Sequence, residues 1–231
     1  DPPPARSVVS TCSYEARRYG IHSAMSCWRA QQLCPDIIFV SPRFDAYMHV
    51  SRQIHAIFAR YTDIIEPIAC DEAYLDVTEN KQGCKYATII AQDICSTIHR
   101  ELNLTASAGV SFNKFLAKIA SDMRKPAGIT VIPPGEEESI INSLPIERFY
   151  GVGAATAAKM RAMGIECGAD IKSKTLGELE KAFGKRGEFY YNIAYGRDFR
   201  MVNPSRERKS YGKETTFSYD IVDEGKIYEA F

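Results

Sequence analysis

Between Ile64 and Ile132 short apolar runs alternate with long helical stretches, and that order leaves few folds open. Two strand-like runs, residues 64–69 and 73–77, are parted only by the polar break Asp71-Glu72. Residues 83–102 then read as a long helix, 105–110 as a strand and 113–124 as a second helix. Residues 128–132 form a last strand, stopped by Pro133-Pro134. A β-β-α-β-α-β order predicts a sheet with two helices on one face, the ferredoxin-like α+β arrangement. Ahead of it, apolar residues at 47, 50, 54, 57, 58 and 61 keep a helical period over 45–61, with Asp45 near the N-terminus. Further upstream, residues 7–11 and 37–40 read as short strands and 23–33 as a short helix ended by Pro35.

After Pro133-Pro134 the pattern changes. Short helical segments at 136–144, 154–163, 176–183 and 187–195 are separated by glycine-containing turns, which predicts a small all-helical domain. Residues 206–213 are polar and basic and read as a linker. Residues 215–219 resemble the first strand of a further domain, and 225–231 the beginning of a helix. The chain opens on Asp1-Pro2-Pro3-Pro4 and enters a strand-like run almost at once, so sequence upstream of Asp1 is expected.

No apolar run approaches the roughly 20 residues of a membrane span, and the polar start carries no signal-peptide pattern. Seven scattered cysteines with no C-x-x-C spacing and four histidines argue against a zinc site and for reduced thiols in the cytoplasm. Net charge is zero, yet residues 147–213 hold 14 Lys/Arg against 8 Asp/Glu, and the remainder 15 against 21. A basic part beside an acidic part suits a protein that grips phosphates with one and a divalent cation with the other.

The acidic pair is the most informative site. Adjacent residues on a strand point to opposite faces, so Asp71 and Glu72 reach one cation only from a tight turn. Such oxygen ligands suit Mg²⁺, whose shell is completed by water and substrate phosphates. An isolated Asp-Glu pair equally suits a solvated turn, so its company decides. Thr11, Tyr14 and Arg17 lie where a strand gives way to a turn and offer donors to phosphate oxygens. Lys114 and Lys118 lie four apart and share one helical face, while Phe115, Leu116, Ile119 and Met123 form the apolar stripe. Gly151-Val152-Gly153 between two helical segments makes a helix-hairpin-helix pattern. Its glycines let a phosphate approach the backbone, and the free amides of the second helix bind it, with Lys159 and Arg161 adding charge.

Taken together, these strings resemble the Y-family DNA polymerases, closest to the bacterial polymerase IV type. The resemblance rests on VVSTCSYEARRYGIHSAMS from Val8, FVSPRFDAY from Phe39 and EPIACDEAYLDVT from Glu66. It continues through TASAGVSFNKFLAKIASDMRKPAGI from Thr105, the G-V-G hairpin and RKSYGKETTF from Arg208. It implies template-directed addition of a deoxynucleotide (dNTP) to a primer 3′-hydroxyl, of the error-prone translesion type. Asp71 and Glu72 would be catalytic carboxylates on the metal, with two Mg²⁺ ions as cofactor. Thr11, Tyr14, Arg17 and Lys118 would bind the nucleotide. Gly151, Gly153 and Lys159 would bind the backbone of primer-template DNA. The implied domains are fingers over 1–42, palm over 43–134, thumb over 135–205, the linker 206–213, and the start of a little finger over 214–231. A monomer is implied, with a sliding clamp recruited through sequence outside this chain.

One departure stands out. The family's third metal carboxylate lies on an N-terminal strand, in a D-x-D-x-F-F-like stretch that also carries the aromatic residue excluding ribonucleotides. No such stretch occurs here, and Asp1 lies too close to Val8-Val9 to replace it. A non-catalytic DNA-binding protein on the same scaffold is therefore the alternative.

Overall fold

The computed structural model describes residues 6–205, 210–212, 214, 216–217 and 219–229. The chain divides into two compact units, one of residues 1–43 with 207–231 and the other of residues 44–206.

In the first unit, α1 (Tyr14–Arg17) starts at Ser13, whose hydroxyl accepts from the Ala16 amide. The second helix, α2, spans Cys27–Leu33. It begins later than the period suggested because Ala24 takes a positive φ of 67°, and Ser26 caps the helix by accepting from the Arg29 amide. The expected strand at 7–11 reduces to one antiparallel bridge, Val8 to Ser26. The expected strand at 37–40 does not form. Ile37 and Phe39 pack inward on Val9, Ile21, Cys27 and Ala30, while Ile38 and Val40 are 85% and 83% exposed. The segment alternates like a strand, but no neighbour supplies a ladder, and β-propensity alone cannot. A short helix covers Glu224–Glu229. Asp1, residues 206–209, Lys213, Thr215 and Ser218 lie outside the described residues, so the expected linker and the strand at 215–219 are only partly covered.

The second unit begins with α3 (Phe44–Phe58). Its Ile57, with Tyr61 just beyond, packs on Ile90, Ile94 and Ile98. Those three belong to α4 (Ala87–Leu102) and are spaced four apart on one face. The expected start of α4 at 83 is too early. Asn80 organises the preceding loop, donating to the Val77 and Cys84 carbonyls and accepting from the Gln82 and Cys84 amides.

Between α3 and α4, β1 (Ile65–Pro67) pairs antiparallel with β2 (Ala73–Leu75), placing Glu66 opposite Tyr74. Beyond α4, β3 (Ala108–Val110) pairs in parallel with β4 (Ile129–Val131), joined by α5 (Lys114–Met123). The predicted element order is realised, but the described strands hydrogen-bond as two two-stranded sheets instead of one. Periodicity marks a strand; it does not say which edges meet. β3 lies against α5 so closely that a Cβ on Gly109 would fall 1.9 Å from the Ala117 carbonyl oxygen.

The rest is helical, as predicted: α6 (Glu137–Ser143), α7 (Ala154–Ala162), α8 (Gly168–Lys172), α9 (Leu176–Phe183) and α10 (Lys185–Ala194). Sequence reading missed α8, whose five residues are too few to show a period. Its first turn is held by Asp170, which accepts from the Glu166 and Cys167 amides. Phe115, Leu116, Ile119 and Ile132 share one apolar cluster with Ile141, Phe149, Met160, Leu179 and Tyr190. The helical part is therefore packed onto α5 as a single core. Among the described residues no helix is long and apolar enough to cross a membrane.

Candidate functional site

The turn joining β1 to β2 is tight because the Glu72 carbonyl accepts from both the Ile68 and Ala69 amides (2.8 and 3.2 Å). It carries Asp71 at an exposed tip and leaves Glu72 partly covered. Facing it is one side of α5, whose N-terminus is fixed by Asn113 accepting from the Leu116 amide. Lys118 donates to Glu72 Oε1 at 2.8 Å. Its side chain is 12% exposed against 34% for Glu72. Asp122, one turn further along α5, lies 3.9 Å from the same ammonium, and the Tyr150 ring centroid lies 5.8 Å away.

Lys114, expected on the same face, has another task. Its side chain is 9% exposed and its ammonium lies 2.5 Å from Glu66 Oε2, itself 12% exposed. The ammonium also donates to the Met201 carbonyl and stands 4.9 Å from the Tyr74 ring centroid. The Asn203 amide donates to the same Glu66 oxygen. Nearby, Asp198 accepts from the Phe115 amide and from Arg200. Burial alone would raise the Asp198 carboxyl, but the Arg200 hydrogen bonds outweigh it and hold that group below its usual range. Asn113 donates to the Gly196 carbonyl. Residues 196–203 are thus strapped across the start of α5. The reading of two alike lysines is corrected: Lys114 is a buried structural cation and only Lys118 reaches the acidic turn. Sequence spacing placed them on one face but could not show what covers each end of it.

The helical hairpin is built around glycine. Gly151 has φ of +89°, a conformation other residues rarely adopt, and Val152 between the glycines is buried beside Ile146 and Phe149. Gly153 is the N-cap of α7 with no side-chain cap. The first hydrogen bond inside α7 comes from Ala157 to the Gly153 carbonyl, so the amides of 154–156 have no acceptor within the helix. Ala154 and Ala155 there are exposed. Arg186, at the start of α10, lies so near that a Cβ on Gly151 would be 3.1 Å from its guanidinium. No sequence signal joins these residues, which lie 35 positions apart. Lys159 turns away from the hairpin: it donates to the Ala182 carbonyl, and its ammonium lies 5.3 Å from the Phe183 ring centroid. Arg161 pairs with Glu147.

In the other unit, Thr11, Tyr14 and Arg17 are all exposed, and the Arg17 guanidinium lies 6.0 Å from the Tyr14 ring centroid. Among the described residues no group of three or more His, Cys, Asp and Glu side chains could hold a metal ion.

A strand hairpin with an acidic tip, gripped by lysines of a βαβ crossover helix and followed by a glycine hairpin, is the architecture of a polymerase palm and thumb. Known structures agree. A Y-family DNA polymerase chimera, Dbh-Dpo4(243-245)-Dbh, superposes with a TM-score of 0.87 at 34% identity, over 98% of this chain and 66% of that one. The insertion ternary complex of Dbh DNA polymerase gives 0.77 at 35% identity, over 84% of this chain and 57% of that one. The impB/mucB/samB family model matches residues 2–122 and the IMS family HHH motif residues 134–165. The chain belongs to this family, the Y-family DNA polymerases. Within it, it is 57% identical to DNA polymerase IV of Listeria monocytogenes serotype 4a (strain HCC23), over 96% of this chain and 62% of that protein. It is 53% identical to DNA polymerase IV of Alkalilimnicola ehrlichii (strain ATCC BAA-1101 / DSM 17681 / MLHE-1), over 98% and 64%. The chain therefore spans somewhat less than two thirds of the curated relatives it matches.

Proposed function

We propose that the protein extends a DNA primer on a template by nucleotidyl transfer from a deoxynucleoside triphosphate, and that it tolerates damaged templates. The observation that carries this reading is the acidic turn with Lys118 bound to it, set in a chain of this family. Asp71 and Glu72 fit Mg²⁺ by donor chemistry: both are oxygen ligands on one tight turn, and Asp71 is exposed. Two carboxylates leave much of an octahedral shell to water and substrate phosphates, as is usual for this ion. When bound, the two ions would activate the primer 3′-oxygen and stabilise charge on the departing pyrophosphate.

The remaining roles belong to side chains. Lys118 would neutralise a phosphate of the nucleotide from one side, and Thr11, Tyr14 and Arg17 would donate to its oxygens. Gly151 and Gly153 would admit a DNA phosphate to the free amides of α7, a contact that positions the duplex without reading sequence. Lys159 would add only longer-range attraction, since its ammonium is engaged at the end of α9. We assign fingers to 1–42, palm to 43–134 and thumb to 135–205. The family's third carboxylate, a sliding clamp and further little-finger sequence would lie outside this chain. A cytoplasmic monomer fits the reading.

The test is primer extension by the full-length natural protein with and without Mg²⁺. Extension that disappears on chelation and returns with Mg²⁺ is expected. DNA binding without extension under any divalent ion would favour the non-catalytic scaffold. Stalling at every minor-groove guanine adduct, with normal extension of intact templates, would remove the lesion-bypass part. A separate expectation concerns Gly153. A Cβ there meets nothing within 4 Å and φ is not positive, so Gly153→Leu should fold normally. It should nevertheless weaken duplex binding about tenfold on every sequence alike, the loss of a phosphate contact. Fluorescence anisotropy on several unrelated duplexes at one salt concentration, beside a thermal melt, would check this; a loss confined to some sequences would contradict it.

A further inference from the structure

Lys114 and Lys118 sit one turn apart on α5, and each takes one carboxylate of the β1–β2 hairpin, but on different terms. The Lys114–Glu66 pair is sealed: both side chains are nearly buried, and backbone groups of Met201 and Asn203 complete it. The Lys118–Glu72 pair sits at the rim. Glu72 is a third exposed and belongs to the turn that, on the function proposed above, receives the divalent ion. Lys118 also has somewhere else to go. Asp122 stands 3.9 Å from its ammonium and the face of Tyr150 closes the site at 5.8 Å, so leaving Glu72 does not mean leaving the site.

We infer that Lys118 is an exchangeable counter-ion for Glu72. Without nucleotide it holds Glu72 and competes with the divalent cation for that carboxylate. With nucleotide, the cation takes Glu72 and the ammonium passes to the phosphates. The two events help each other, because each removes what opposes the other. Metal affinity is thereby kept low until the triphosphate arrives. Such coupling is reciprocal and commonly amounts to roughly 5- to 150-fold in affinity.

The test is Mn²⁺ binding followed by electron paramagnetic resonance, with no nucleotide present and no activity measured. Lys118→Gln removes the competing charge and should bind Mn²⁺ about fivefold or more tightly than the parent. The same variant should bind a non-hydrolysable deoxynucleoside triphosphate more weakly. Lys118→Arg keeps the charge and should restore the parent's weak Mn²⁺ binding; Lys118→Met serves if the Gln variant does not fold. Equal or weaker Mn²⁺ binding by the neutral variants would overturn the exchange. Asp71→Asn separates the two levels of the argument. Mn²⁺ binding lost in Asp71→Asn yet indifferent to Lys118 sinks the exchange alone. Binding indifferent to Asp71 as well removes the acidic turn as the metal site, and the proposed function with it.

Discussion

Asp71→Asn should leave primer-template binding close to the parent's and slow single-turnover extension by at least about a hundredfold, the scale seen when one preorganised charge-stabilising group is lost. The reasoning is local. Asp71 stands exposed at the tip of the β1–β2 turn, and that turn is shaped by backbone bonds to the Glu72 carbonyl. An asparagine of the same size therefore leaves the turn intact. What it removes is an anionic oxygen, and a neutral amide is a poor ligand for a hard cation. Extension rates measured beside anisotropy on the same DNA would check this. A proportional fall in both would mean that Asp71 supports structure or DNA contact instead of metal.

Lys114→Met should destabilise the protein by roughly 3–5 kcal/mol, the usual effect of stripping one partner from a buried ion pair. The cost lies in what stays behind: Glu66 keeps its charge while its side chain is about one-eighth exposed. The Asn203 amide still donates to it, but one neutral donor cannot replace an ammonium. Against a total stability of about 5–15 kcal/mol, this is a large share. Pairing the change with Glu66→Leu should recover much of it, because removing both charges removes the desolvation problem. Urea unfolding of the two single variants and the double one would decide. If Lys114→Met alone shifted stability by less than about 1 kcal/mol, water must reach Glu66 freely, contrary to its burial.

Much of this molecule was readable from residue order. The helices α3, α4 and α5 follow their apolar periods, and the thumb helices follow their glycine breaks. The acidic turn was legible because two carboxylates interrupt two apolar runs. What escaped is what only tertiary contact decides. Lys114 and Lys118 have the same spacing, charge and helix. Their difference comes from residues 196–203 folding over one and not the other, which no local pattern records. Residues 37–40 have strand-like composition, but pairing needs a free edge. Lys159 falls six residues after Gly153, and only the approach of α9 shows its ammonium claimed by another carbonyl.

The shared core of α5 and the thumb helices sets a fixed ruler. Phe115 and Leu116 sit beside Phe149 and Met160 in one packed cluster, so the lysine facing the acidic turn and the glycine hairpin are carried by one body. A swing of the hairpin relative to that turn would mean opening this cluster and exposing several buried aromatic and aliphatic side chains at once. On the proposed function, a duplex held at Gly153 thus offers its end to Asp71 at a constant offset. Advancing by one nucleotide then requires the hairpin to let go of one phosphate and take the next. The sequence-blind backbone contact is suited to that: each step finds the same grip.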